Sequence, residues 1–196
     1  MATSAELQTD GRVQRSERSR EAIVQAMLDL IGEGELTPTA QQVAERADVG
    51  VRTVFRHFSD METLFAAMTE RIHAESEKIL GVPDASRALG ERIEALLDGR
   101  LALFERVAPY HRSGALQRAQ SDFLRTQHER DVKALRRNLL RWLPELESED
   151  PSLAHAIEMA LSFEAWERLR SEQKLSARKA GDAMRRVFRA LAREFA

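Results

Sequence analysis

The chain has 196 residues, 43% of them hydrophobic and 32% charged, with 9 Gly, 5 Pro, no Cys and a formal net charge of -2. That length can bury a core, and that mix suits a largely helical globular protein, while the missing cysteines exclude disulfides and thiolate metal sites. A simple nucleic-acid binder is more basic than this, so any DNA binding must rest on local charge, because phosphate contacts act over about 8–10 Å.

Met1–Gly11 is polar, small and aperiodic and is expected to be a disordered start. It lacks the apolar h-region of a signal peptide, and no later apolar run is long enough to span a bilayer. A cytoplasmic protein without membrane attachment is therefore expected. Arg12, Arg15, Arg18 and Arg20 follow, either as a solvated helix start or as a basic arm that reaches DNA. Residues 1–15 are taken as a flexible arm. The first helix is expected to begin near Ser16, with Ile23, Met27, Leu30 and Ile31 as its core stripe, and to end at Gly32-Glu33-Gly34.

Thr39–Phe58, TAQQVAERADVGVRTVFRHF, reads as two short helices joined by a tight turn. Thr39 is an N-cap residue and Gln42, three positions later, completes a capping box. Val43, Ala44 and Ala47 form an apolar face, and Ala44 is small where crossing helices approach. Asp48-Val49-Gly50 breaks the first helix, since Asp and Gly tolerate the left-handed backbone. The second helix, Val51–His57, is positioned to pack through Val54 and Phe58 and shows Arg52, Thr53, Arg56 and His57 on the other side, with no acid among them. This is the pattern of a helix-turn-helix, whose second helix enters the DNA major groove.

The following segment, VFRHFSDMETLFAAM, adds to that pattern. With the long amphipathic helix before it, the stretch from roughly Glu17 to Met68 resembles the TetR family of transcriptional regulators. Phe55 and Phe58 match that family's aromatic-x-x-Phe pair, Leu64 matches its apolar anchor, and Ser59 with Glu62 is expected to cap the next helix. Three positions depart from it. Phe55 stands where the family usually has Tyr, Met61 where many members have Lys, and Gly50 where a Ser or Thr cap is usual. Two phosphate contacts and a good cap are thus missing, which implies weaker phosphate anchoring unless Arg12 or Arg15 compensates.

A long helix is expected from Ser59 to about Leu80, broken by Gly81-Val82-Pro83, with Asp84 capping the next. Leu89 to Phe104 carries another apolar stripe, followed by breaks at Ala108-Pro109-Tyr110 and Ser113-Gly114 around a short element. Ser121–Leu143 reads as a helix, Pro144 to Pro151 as an acidic loop with Glu145, Glu147, Glu149 and Asp150, and Ser152–Glu172 and Ala177–Phe195 as the closing pair. No strand alternation is visible. The expected fold is all-α, with about nine helices: a helix-turn-helix domain over residues 16–70 and a further helical domain over 71–196, the first implied by the resemblance to bind DNA and the second to bind a ligand and dimerise. The resemblance implies that the last two helices pair with those of a second subunit. Their wide apolar stripes fit that, although covering the monomer core would also explain them.

The candidate DNA-binding residues are Thr39, Gln41, Val51, Arg52, Thr53, Phe55, Arg56 and His57. Arg52 and Arg56 are the base readers, because a guanidinium takes guanine O6 and N7 together. Thr53 and His57 suit phosphate or base-edge contacts, Val51 a thymine methyl, and Thr39 and Gln41 the backbone beside the first helix. The resemblance places a small effector between about Ile79 and Trp142, with Phe104, Tyr110, Phe123, His128, Trp142, Phe163 and Trp166 as candidate lining residues. Ordinary core packing explains each of these aromatics better than a ligand role does, and a loop or surface position does so for His128 and His111.

No HExxH, phosphate-cradling Gly-rich loop or serine nucleophile elbow is present. His155 and Glu158 lie one helical turn apart without a companion histidine motif. Neither catalysis nor a metal or cofactor is expected. The reading is a homodimeric repressor held on a pseudo-palindromic double-stranded operator and released by an effector. A helical ligand-binding protein, or a protein-only regulator that has lost operator binding, is the alternative.

Overall fold

A computed structural model describes residues 4–147 and 151–193, with side chains described from residue 13 onward. Among the described residues the fold is all-helical, without a strand. The α-helices are α1 (Ser4–Gly32), α2 (Ala40–Arg46), α3 (Val51–His57), α4 (Met61–Leu80), α5 (Leu89–Gln117), α6 (Asp122–Trp142), α7 (Pro151–Ala160), α8 (Phe163–Glu167) and α9 (Ala177–Ala192). Glu149, Asp150 and Phe195, part of the expected acidic loop and last stripe, lie outside the described residues.

The chain divides into two compact units, one comprising residues 1–74 with Pro109–Gln117, the other Glu75–Ala108 with the chain from Arg118 on. In the first, α1 packs against α2 and α3. Its core joins Ile23, Met27 and Ile31 of α1 to Val43 and Ala44 of α2, Val54 and Phe58 of the α3 region, and Leu64, Phe65 and Met68 of α4. The last turns of α5 complete it. The Ser113 hydroxyl donates to the Leu36 carbonyl at 2.6 Å, and Tyr110 Oη reaches the Leu28 carbonyl at 3.5 Å.

α1 ends as its glycines foretell. Gly34 has φ +103°, and the Glu35 and Gly34 N–H groups donate back to the Leu30 and Ile31 carbonyls, the two bonds of a Schellman motif. Its start differs from expectation, lying at Ser4 rather than near Ser16. Ala5, Glu6, Leu7 and Gln8 are good helix formers, and the single Gly11 costs only about 1 kcal/mol against Ala. The cap of α4 also differs. Asp60, not Ser59, accepts the Thr63 N–H at 2.7 Å, and Thr63 Oγ1 accepts the Asp60 N–H at 3.3 Å. That N–H bond, with further ones from Ser59 and Glu62, holds the Asp60 carboxyl below its usual range.

In the second unit, Leu96, Leu97, Phe104, Leu139, Trp142, Ile157, Leu161, Trp166, Met184 and Phe188 form the core. Two glycines allow close crossings. A Cβ on Gly99 would lie 3.1 Å from the Ile79 carbonyl oxygen, and one on Gly181 would lie 3.1 Å from Leu101. α6 starts at its expected cap, Ser121, and α9 at Ser176.

Three expectations are corrected here. α5 runs unbroken through Pro109 and Gly114. Proline removes one helical hydrogen bond, but the buried Val107, Ala108, Tyr110 and Ser113 hold the turns on either side of it. Asp84 does not cap α5, whose N-cap is Ala88; its carboxylate instead accepts from the Ser86 N–H and hydroxyl within a turn. The expected helix Ser152–Glu172 is interrupted at Leu161–Ser162. Ser162 caps α8 by accepting the Ala165 N–H at 3.1 Å, and a π-helical stretch, Arg168–Glu172, follows. The interruption coincides with Arg100, which takes the Leu161 carbonyl from outside the helix.

Candidate functional site

The helix-turn-helix is built from local signals. Thr39 Oγ1 accepts the Gln42 N–H at 3.3 Å and Gln42 Oε1 accepts the Thr39 N–H at 2.8 Å, closing the capping box. Asp48 takes the left-handed conformation, φ 52°, and a second Schellman pair, Val49 N–H to the Ala44 carbonyl and Asp48 N–H to the Glu45 carbonyl, ends α2. Gly50 then opens α3 without a side-chain cap. Arg46 at the end of α2 holds the Glu33 carboxylate with both terminal nitrogens, at 2.8 and 2.6 Å, so the loop after α1 and the end of α2 are tied together. These bonds hold the Glu33 carboxyl below its usual range.

α3 has seven residues, too few to be stable alone. It is held by Val54, 1% exposed, and by Phe58 at its C-cap, 4% exposed. The other face is open. Arg52 and Arg56 are exposed, and neither has a carboxylate partner among the described residues. Phe55 is 47% exposed. Val51 and Thr53 are half-buried beside them. Thr39 and Gln41 are exposed on α2, with Gln41 Nε2 donating to Glu45 of its own helix at 2.6 Å.

His57 is placed differently from the others. Its Nε2 is buried with no hydrogen-bond partner among the described residues. That burial, then the neighbouring Arg56 and Arg20, lowers its pKa, so the neutral imidazole is favoured. Arg20 of α1 lies over the Phe58 ring, 5.1 Å from its centroid. Cations from two helices therefore gather at the C-terminal end of α3.

The candidate effector residues do not form one group. Phe104 meets Phe163 edge-on at 5.7 Å and Trp166 at 6.4 Å, a cluster inside the second unit. Trp142 is buried near Gly81, where its ring would lie 3.8 Å from an added Cβ. Phe123 and His128 are half-buried on α6, and His128 Nδ1 is buried without a partner. Tyr110 belongs to the first unit, against Leu28 and Gly32. Glu158, half of the one-turn His155 pair, is engaged by Arg136, while His155 is exposed. Among the described residues no group of three or more His, Asp or Glu side chains could hold a metal ion, and no helix is long and apolar enough to cross a membrane.

The sequence reading missed Arg100. It is 1% exposed and donates to the Leu161 and Leu135 carbonyls and to Asn138 Oδ1. Burial pushes its pKa down to about 10, against the opposing pull of Glu158. The signal was its register: it stands four residues after Leu96 and four before Phe104, on the buried stripe of α5.

Residues 19–68 match the sequence profile of the bacterial regulatory proteins of the tetR family. The chain is similar in structure to a transcriptional regulator from Rhodococcus sp. RHA1, with a TM-score of 0.71 and 18% identity over 89% of this chain and 96% of that one. It is also similar to a TetR transcriptional regulator from the same organism, with a TM-score of 0.57 and 18% identity over 91% and 98% of the two chains. No curated protein sequence matches it. The N-terminal helices thus match a helix-turn-helix domain of bacterial regulatory proteins, and the chain shares the all-helical fold of those two structures. Over residues 19–68 the chain is similar to the tetR family of bacterial regulatory proteins.

Proposed function

We propose that this chain is a DNA-binding transcriptional repressor of the cytoplasm, not an enzyme, that acts as a homodimer on a pseudo-palindromic operator and releases it when a small effector binds the second unit. The observation that carries the reading is the outward face of α3, where Arg52 and Arg56 stand exposed with no acid among the described residues to neutralise them. Unpaired guanidiniums on a helix braced from behind by Val54 and Phe58 suit bidentate contacts to guanine in the major groove. Val51, Thr53 and Phe55 flank them as apolar and hydroxyl contacts, while Thr39, Gln41 and His57 border the groove. Two-fold pairing through α7–α9 is supported by apolar side chains left in the open, Met159 at 71% exposure and Val187 at 48%. A second subunit doubles the reading surface, and an effector that binds two dimer states unequally shifts operator affinity.

The test is a gel shift with the DNA upstream of the chain's own gene. Sequence-specific retention by the wild type, lost in Arg56→Ala, supports the proposal. Retention of all DNA alike, or of none, sinks it.

A further inference from the structure

Arg100 is a buried cation whose three recorded acceptors are uncharged: the Leu161 carbonyl at 3.3 Å, the Leu135 carbonyl at 2.8 Å and Asn138 Oδ1 at 3.2 Å. A guanidinium has five N–H donors, and here Nε is buried with no partner among the described residues. The Leu161 carbonyl follows the C-terminus of α7, whose dipole offers roughly half a negative charge. That does not replace an anion, because a buried ion without a counter-ion costs several kcal/mol. Glu158, the acid whose charge Arg100 feels, is already held by Arg136.

A second orphan donor lies in the same region. Trp166 Nε1 is buried with no partner among the described residues, and the Trp166 ring meets Phe104, one turn from Arg100 on α5. Phe104 in turn meets Phe163, two residues beyond the carbonyl that Arg100 takes. An unpartnered Arg100 Nε, an unpartnered Trp166 Nε1 and the rings of Phe104 and Phe163 are thus linked by contacts around the α7–α8 joint.

We propose that this cluster binds a small aromatic carboxylate, its anion on Arg100 and its ring among Phe104, Phe163 and Trp166. The inference names the ligand class for the effector role proposed above and rests on that reading.

The probe is benzoate, with benzamide as the neutral analogue at equal ionic strength. At ten times its dissociation constant, benzoate is expected to raise the wild-type melting temperature by about 3–6 °C, and benzamide to leave it unchanged. Benzoate should also alter the fluorescence of Trp142→Phe, in which Trp166 is the remaining tryptophan. Arg100→Lys, which keeps the charge and loses the fork, should bind at least tenfold more weakly. If that variant does not fold, the wild-type comparison and the Trp142→Phe signal decide. Equal effects of benzoate and benzamide, no shift with benzoate, or undiminished binding by a folded Arg100→Lys would overturn the proposal. None of these measurements uses DNA. Benzoate binding without operator binding would therefore sink the regulator reading alone, and operator binding without benzoate binding would sink this inference alone.

Discussion

Phe58→Ala removes the ring that ends α3, and its effect can be worked from the packing. The side chain is 4% exposed, so its burial is worth about 1.5–3 kcal/mol in transfer alone, and the cavity left behind raises the loss to about 3–5 kcal/mol. The Arg20 guanidinium, 5.1 Å from the ring centroid, adds about 0.5–1 kcal/mol because it is exposed. Against a typical stability of about 5–15 kcal/mol, this endangers the first unit. With a urea slope of about 2 kcal/mol per molar, the circular-dichroism midpoint should fall by about 2 M. A double-mutant cycle with Arg20→Met isolates the ring–cation contact. A midpoint shift below about 0.5 M would refute the claim that Phe58 braces the reading helix, and additivity with Arg20→Met would remove Arg20 from the bracing.

His57 gives a pH dependence of fixed sign. Its folded pKa lies below the unfolded value, because burial and two arginines oppose protonation. Its contribution is therefore complete above the unfolded pKa and is lost as pH falls through the folded one; stability should drop on acidification less in His57→Gln than in the wild type, read by urea midpoints across that range. Arg56→Ala should leave the melting temperature nearly unchanged, since the side chain is exposed and unpaired, yet cost about 1–3 kcal/mol of operator binding per half-site in a titration. Thr39→Ala breaks the capping box and should cost about 0.5–2 kcal/mol by denaturant titration. Val187→Glu puts a charge on an exposed apolar site of α9 and should turn a dimer into a monomer by light scattering; a dimer of unchanged strength would move the interface elsewhere.

The helix-turn-helix was legible because its signals are local. A capping box, a residue able to take positive φ, and a glycine each act within four residues, and all stand where the sequence placed them. Errors came where tertiary contacts overrode local rules. Pro109 and Gly114 read as breaks, but α5 continues because buried neighbours on both sides hold its backbone. Ser152–Glu172 read as one helix, because nothing in its own sequence shows that Arg100, some sixty residues earlier, competes for the Leu161 carbonyl. The aromatic candidates shared only a composition. Side-chain direction decided that Phe104, Phe163 and Trp166 meet while Tyr110 packs against α1.

On the proposed function, the brevity of α3 would limit how much sequence it could read. Seven residues at 1.5 Å each span about 10 Å, the length of roughly three base pairs. At two bits per pair, a half-site yields about six bits and a palindrome about twelve, whereas picking one address from a million needs about twenty. An operator read by this helix alone would recur by chance every few thousand base pairs, so on the proposed reading the remaining discrimination would come from outside α3: from the basic arm and the α2 contacts, from half-site spacing and from duplex deformability.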